Sequence, residues 1–252
     1  MNPETQETLS KVPEVTFAFW IIKILATTLG ETGGDAVSMS LDLGYLVSTV
    51  IFAALFVGAV TAQVSARKFH PLLYWITIVA TTTVGTTLAD FTDRSLGIGY
   101  AGGTMMLLLL LVISLFVWHR TLGSVAVATV GSAKTEAFYW CTIMFSQTLG
   151  TALGDWTADT MALGYDGAAL VFGAMLAVIA IAYRWTRLSI TGLFWAAFIL
   201  TRPLGAVLGD FLDKPTSVGG LALSRYAASV VLIGLMVVCL FIFPQRPIAQ
   251  RH

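Results

Sequence analysis

Four times along the chain a Trp precedes an Asp by fifteen residues: Trp20/Asp35, Trp75/Asp90, Trp140/Asp155 and Trp195/Asp210. One Gly lies five residues before each Asp (Gly30, Gly85, Gly150, Gly205), and another lies nine residues after it (Gly44, Gly99, Gly164, Gly219). Tyr follows the second Gly in three copies (Tyr45, Tyr100, Tyr165), and Gly220 stands there in the fourth. The cores read TLGETGGD, TVGTTLAD, TLGTALGD and PLGAVLGD. Agreement at this many fixed offsets marks internal duplication, and duplicated units of this size bury their apolar faces against one another.

Composition says where those faces lie. Of the 252 residues, 57% are hydrophobic and 11% charged, with a mean hydropathy of +0.83. A soluble domain carries roughly 25% charged residues. Lys+Arg and Asp+Glu are 14 each. A soluble enzyme, a disordered chain and a basic nucleic-acid binder are excluded on these grounds. Cys141 and Cys239 stand alone in apolar runs, and His70, His119 and His252 are far apart. Neither a zinc site nor a disulfide framework is indicated, and no phosphate-binding GxxxxGK[ST] loop occurs. The opening MNPETQETLSKVPE lacks a basic signal-peptide region, so the first apolar segment is expected to be retained.

Each repeat holds two apolar segments, giving spans near 15–34, 44–66, 71–91, 99–118, 136–154, 164–183, 191–210 and 221–243. About 20 residues of helix cross ~30 Å of hydrocarbon, and lipid forces backbone polar groups to bond within the segment. The expected fold is therefore an all-α membrane protein of eight transmembrane helices. The first helices, rich in Thr and Gly with pairs such as Gly30/Gly34, Gly150/Gly154 and Gly205/Gly209, should lie inside. The second helices, such as TMMLLLLLVISLFVW, should face lipid. Steps between motif Asp residues are 55, 65 and 55. The longer step contains TLGSVAVATVGSAK, which divides the chain into a first half at 1–120, a linker at 121–135 and a second half at 136–252. This spacing leans toward two paired halves over a pseudo-fourfold ring.

Nine of the fourteen basic residues (among them Lys11, Arg67, Lys68, Arg120, Lys134, Arg246 and Arg251) lie between repeats or at the termini. The positive-inside rule puts those segments and both termini in the cytoplasm. The within-repeat turns, with Asp42, Asp93, Asp159, Asp166 and Asp213, then face outward beside Arg94, Lys214 and Arg225. Two helices per repeat make the repeats parallel, related by an axis along the membrane normal. The motif Trp residues read as anchors of an interfacial aromatic belt.

Residues four apart share a helix face. Stepping back from each motif Asp gives Asp35–Glu31–Thr27–Lys23, Asp90–Thr86–Thr82–Ile78, Asp155–Thr151–Gln147–Ile143 and Asp210–Ala206–Arg202–Phe198. Each first helix thus carries a polar stripe, and Lys23/Glu31 and Arg202/Asp210 read as ion pairs within the bundle. Intramembrane ionisable groups usually face a bundle interior and serve transport. The other reading is that the Asp residues end helices at the interface, since 21 residues from Glu14 to Asp35 already make ~31 Å of helix. Carboxylates, hydroxyls and one amide are hard ligands suited to Mg²⁺, Mn²⁺, Ca²⁺, Na⁺ or protons. No nucleophile–base–orienter set is visible, so an enzyme is not expected and no cofactor is implied.

The four TLGxxxGD repeats resemble a bacterial family of membrane-anchored proteins built from four tandem copies of a repeat of unknown function. The resemblance covers residues 14 to 243 and implies a bacterial inner-membrane location without an activity. A looser likeness links the motif to the Gly-Asp manganese and calcium exporters, whose Glu-x-Gly-Asp is followed by a basic residue. Here Glu31 is four residues before Asp35, the basic residue is absent, and repeats 2 to 4 lack the Glu.

The leading expectation is a secondary transporter, an exporter of a small cation such as Mn²⁺, coupled to protons. Asp35, Asp90, Asp155, Asp210 and Glu31 would bind the cation, Thr27, Thr82 and Gln147 would line the path, and Lys23 and Arg202 would balance charge. The alternatives are a proton-coupled exporter of small organic cations, with Trp156 beside Asp155 as its aromatic candidate, and a non-transporting scaffold. Expected partners are the lipid bilayer, the cation and protons, with no nucleic acid.

Overall fold

The computed structural model describes residues 10–248, all of its long elements being helical. Arg251, His252 and the acidic stretch before Ser10 lie outside the described residues. Eight long helices run as α1 (Phe17–Asp35), α2 (Gly44–Ser65), α3 (Pro71–Asp90), α4 (Gly99–Leu122), α5 (Ala133–Asp155), α6 (Gly164–Trp185), α7 (Ile190–Asp213) and α8 (Arg225–Ile242). Their ends fall within four residues of the expected spans. Local chemistry sets several starts. Thr16 and Ser189 accept hydrogen bonds from Phe19 N and Gly192 N, Ser132 and Thr135 form a reciprocal cap, and Pro71 opens α3.

Motif Asp residues close α1, α3 and α5, and each is followed by a wider π-type turn: Ala36–Ser40, Phe91–Ser95 and Trp156–Thr160. The second helix of the repeat then begins on the Gly nine residues past the Asp. Gly44, Gly99 and Gly164 have φ of 73°, 76° and 67°, the left-handed backbone that a side chain disfavours. The fixed offset is thus a turn requirement. Repeat 4 departs from it: α7 runs on to Asp213, and Gly219 (φ 89°) sits in a loop before α8.

Helices α1, α3, α5 and α7 pack into a closed ring, α1 on α3, α3 on α5, α5 on α7 and α7 on α1. The ring replaces the paired halves toward which the spacing leaned, and its α3/α5 and α7/α1 seams join the segments before and after the linker. The second helix of each repeat packs mainly against the first helix of the next: α2 on α3, α4 on α5, α6 on α7, and α8 round onto α1. The repeats therefore interlock, and the last helix closes on the first.

Six of the eight helices are long and apolar enough to cross a membrane by themselves, and the chain is a multi-pass membrane protein. The other two, α1 and α5, fall outside that set and lie in the ring. Burial separates the layers as expected: 67% of the apolar stretch of α3 is buried against 6% of that of α2. Exposed Leu, Val, Ile and Phe side chains cover the outer helices.

The ring has two chemically distinct ends. At the N-terminal ends of the inner helices, Phe19, Tyr74, Trp75, Tyr139, Trp140, Phe194 and Trp195 form one packed aromatic core with Trp118 of α4. Trp75, Trp140 and Trp195 are buried there, and Trp20 partly so, which corrects their reading as interfacial anchors. Their spacing reflects ring packing: the equivalent turn of each helix meets the others at the axis. The Tyr74 and Tyr139 hydroxyls are 2.7 Å apart, and Trp195 Nε1 donates to Val125 O (2.9 Å) in the linker.

Both described chain ends meet at this aromatic end. Glu14 N donates to Arg246 O (2.8 Å) and Ile248 N to Val12 O (3.0 Å). Lys11 pairs with Glu136 at 2.6 Å and donates to Gln63 O and Val64 O in the last turn of α2. Lys11 N also bonds Val130 O at 2.7 Å, so the linker is docked across the ring.

Candidate functional site

The motif glycines bring the inner helices together. A Cβ at Gly30 would strike Thr82, one at Gly150 would strike Arg202, and one at Gly205 would strike Thr27; at Gly85 it would lie 3.0 Å from the Gln147 backbone. The partner is in every case the residue eight before the Asp of the next repeat. One contact thus recurs four times round the ring, and that recurrence explains why this Gly is present in every copy. Close backbone approach lets Thr27 Oγ1 donate to Thr201 O (3.3 Å) and Thr82 Oγ1 to Ala26 O (3.2 Å) across seams.

This packing buries the stripe. Lys23, Thr27, Thr82, Gln147 and Arg202 are fully buried, and Glu31, Asp35, Asp90, Asp155 and Asp210 are no more than 3% exposed. The motif Asp residues are therefore enclosed at the C-terminal end of the ring. All ten residues named from sequence line its interior, but they divide into layers.

The deepest ion pair is Arg202 with Glu31. Arg202 Nη2 donates to Glu31 Oε2 (2.9 Å) on α1, to Thr86 Oγ1 (2.6 Å) on α3, and to Thr151 Oγ1 on α5. From α7 the guanidinium thus touches all three other inner helices. Thr86 Oγ1 lies 3.2 Å from both Gly30 O and Glu31 Oε2, completing the network.

The expected pairs Lys23/Glu31 and Arg202/Asp210 do not form. Arg202 takes Glu31 from the neighbouring helix, and Asp210 is taken by Lys214. Lys23 has no ion-pair partner among the described residues, and its ammonium lies 4.1 Å from the centre of the Phe198 ring. Pairing within one helix was inferred from the stripe, whereas the ring brings the facing helix closer.

Above this layer two basic residues span the four Asp carboxylates. Lys214 Nζ is 2.6 Å from Asp35 Oδ2 and 3.0 Å from Asp210 Oδ1. Arg94 binds Asp90 through Nε and Asp155 through Nη2, both at 3.1 Å. Arg225 adds a contact to Asp213 at 3.1 Å and a longer one to Asp35 at 3.8 Å. Burial works against the Lys214 charge, but Asp210, Asp35 and Asp213 outweigh it and hold its pKa above the ordinary lysine range.

Arg94 and Lys214 were assigned to outer turns from sequence and given no site role. The signal was present: each lies four residues beyond a motif Asp, on the same face. The Tyr after the second Gly also acquires a place, since the Tyr45 hydroxyl accepts from Arg94 Nη1 (3.2 Å) and Tyr100 donates to Asp159 (3.2 Å).

Glu31, Asp35 and Asp210 each present a carboxylate oxygen within 4.8 Å of the others, a spacing at which three carboxylates can share one metal ion. Asp90 and Asp155 do not belong to that cluster. Two surface grooves, one lined by α1, α2, α3 and α8 and one by α6 and α7, are apolar and include none of these carboxylates.

Comparison with known families agrees with the repeat count. The model of a repeat of unknown function, DUF347, matches four times, at residues 18–69, 73–124, 138–189 and 193–243. The chain belongs to that family. Each DUF347 match starts two residues before the motif Trp and ends after the second helix, so the family unit is the two-helix repeat. No curated protein and no solved structure matches the chain.

Proposed function

We propose that this DUF347 protein is a secondary transporter, and not an enzyme, that exchanges a small cation, Mn²⁺ by preference, for protons across a bacterial inner membrane. One observation carries the reading. The carboxylates of Glu31, Asp35 and Asp210 converge inside a ring of helices, with the Lys214 ammonium held between two of them. An ammonium at 2.6–3.0 Å from two carboxylates stands where a hard cation would be ligated. Lys214 is thus a tethered counter-ion: it neutralises the cluster while the ring is closed and withdraws when cation enters. Arg94 ties Asp90 and Asp155 together at the opposite seam, outside the three-carboxylate cluster.

Charge accounting supports exchange with protons. The carboxylate end of the ring gathers six buried carboxylates, Glu31, the four motif Asp and Asp213, against the four bases they contact, Arg94, Arg202, Lys214 and Arg225. A buried cluster with excess negative charge takes up a proton or a cation to approach neutrality. The aromatic end is cytoplasmic in this reading, because the between-repeat loops carrying Arg67, Lys68 and Arg187, and the last turn of α4 with Arg120, lie there. The acidic end then opens outward.

A non-transporting scaffold is favoured by the closure of the site, whose carboxylates have almost no exposure. An organic-cation exporter would need aromatic walls around the Asp residues; Tyr45 and Tyr100 lie there beside Arg94, while the packed aromatic core is at the other end. Reconstitution in liposomes with a Mn²⁺-sensitive dye and an internal pH probe separates the readings. Transport predicts Mn²⁺ movement with opposing proton movement. Silence of both probes under imposed Mn²⁺ and pH gradients favours the scaffold.

A further inference from the structure

Below the Arg202–Glu31 pair the ring interior contains donors that nothing in the protein satisfies. Lys23 Nζ, Arg202 Nε and Nη1, and Gln147 Nε2 all lack hydrogen-bond partners, as does Gln147 Oε1. All three side chains are fully buried. They belong to neighbouring levels of one stripe: Gln147 and Arg202 lie eight residues before their motif Asp, and Lys23 twelve before. The positions equivalent to Lys23 are Ile78, Ile143 and Phe198, all fully buried and apolar.

The imbalance is one of charge as well as hydrogen bonding. Arg202 is permanently charged and shares Glu31 through Nη2 alone. Lys23 stands beneath it with a ring face but no carboxylate. A buried charge is normally paired, and an orphaned buried donor costs roughly 1–3 kcal/mol. Four orphan donor atoms and one orphan acceptor thus lie at two adjacent levels of the ring interior, on α1, α5 and α7.

We infer that Lys23, Gln147 and Arg202 form a binding site for one small monovalent inorganic anion, chloride or bromide. The anion would accept from the Lys23 ammonium, the Gln147 amide and the free edge of the Arg202 guanidinium, and would supply the missing negative charge. Every side chain named is closed to solvent, so an ion among them would be bound without its hydration shell. Water could satisfy some donors but, unlike an anion, would not offset the repulsion between an ammonium at Lys23 and the Arg202 guanidinium. The site differs from the carboxylate cluster above it and does not depend on cation transport.

The test uses the full-length protein purified in detergent. Melting temperature is measured in chloride, bromide and gluconate at constant ionic strength. Chloride and bromide should raise it saturably and gluconate should not, as expected for a ligand of the folded state. Lys23→Met should abolish the difference, and Gln147→Leu should weaken the apparent halide affinity about tenfold, the loss of one hydrogen bond to a charged group. Anomalous diffraction from a bromide-grown crystal should place one ion between Lys23 and Arg202. Equal melting temperatures in all three anions would overturn the site. So would a halide effect that persists unchanged in Gln147→Leu, which keeps the reading decisive if Lys23→Met fails to fold.

Discussion

Two seams of the ring solve one problem with different side chains. At the α3/α5 seam Arg94 bridges Asp90 and Asp155; at the α7/α1 seam Lys214 bridges Asp210 and Asp35. Each base lies four residues beyond the Asp of an even repeat and reaches the Asp of the next. The fourfold ring therefore carries a twofold pattern of charge. The seams differ in what lies beneath. Under Lys214 is a third carboxylate, Glu31, tied to Arg202; the equivalent positions at the other seam are Thr86 and Thr151. They differ also in the base. Arginine's planar fork holds two carboxylates in fixed geometry, whereas lysine is a compact point charge on a flexible stem. On the proposed transport reading, the α7/α1 seam is the one able to release its basic side chain, and the α3/α5 seam stays tied.

The largest expected effect comes from separating the deep pair. Arg202→Met leaves Glu31 buried without its partner and should cost about 3–5 kcal/mol, read from thermal unfolding in detergent. Glu31→Gln added to Arg202→Met should recover most of it. If the double variant were no more stable than the single, Arg202 would be acting through its threonine contacts and the contrast between seams would fail.

A smaller effect tests whether one packing contact recurs at both seams. Gly205→Ala would press a methyl into Thr27, and Gly85→Ala would meet the Gln147 backbone. Each should destabilise by about 1–3 kcal/mol. Thr27→Ala should relieve only the hydroxyl part of the first, because the Thr27 Cβ and backbone carbon, at 2.5 and 2.9 Å, stay in the way. Gln147→Ala should leave most of the second in place, because backbone atoms obstruct it. Equal rescue at both seams would show that the helices adjust freely.

The smallest effect belongs to the rim. Tyr45→Phe removes an acceptor from Arg94, whose side chain is 30% exposed, and should cost about 0.5–1.5 kcal/mol. Replacing Arg94 by Lys should then lower stability further by losing one of two carboxylate contacts. A neutral result for Arg94→Lys would mean that the fork is not what ties this seam.

Much of this architecture was legible in the chain. The Trp–Gly–Asp–Gly offsets located the repeats, the helix pairs and the inner layer, because turn geometry and close approach recur in each copy. The polar stripe named the interior residues by helical periodicity alone. Partner choice was not legible. Lys23/Glu31 and Arg202/Asp210 share helices, but ring closure places Arg202 beside Glu31 of another repeat, a contact separated by 171 residues. The Trp residues were misassigned because membrane-edge anchoring and ring-core packing predict the same position along a helix. Arg94 and Lys214 escaped notice because the four-residue step was followed only backward from the Asp. The longer middle step suggested separate halves, yet its extra residues form the docked linker across the aromatic end.

The central claim is that Glu31, Asp35 and Asp210 form the cation site while Asp90 and Asp155 form a structural tie. Mn²⁺ flux in proteoliposomes, compared between Asp35→Asn/Asp210→Asn and Asp90→Asn/Asp155→Asn at matched folded protein, tests it directly. The account predicts that the first double variant abolishes Mn²⁺ movement and that the second transports with an unchanged Mn²⁺ concentration dependence. Transport surviving in the first, or lost equally in both, would contradict it.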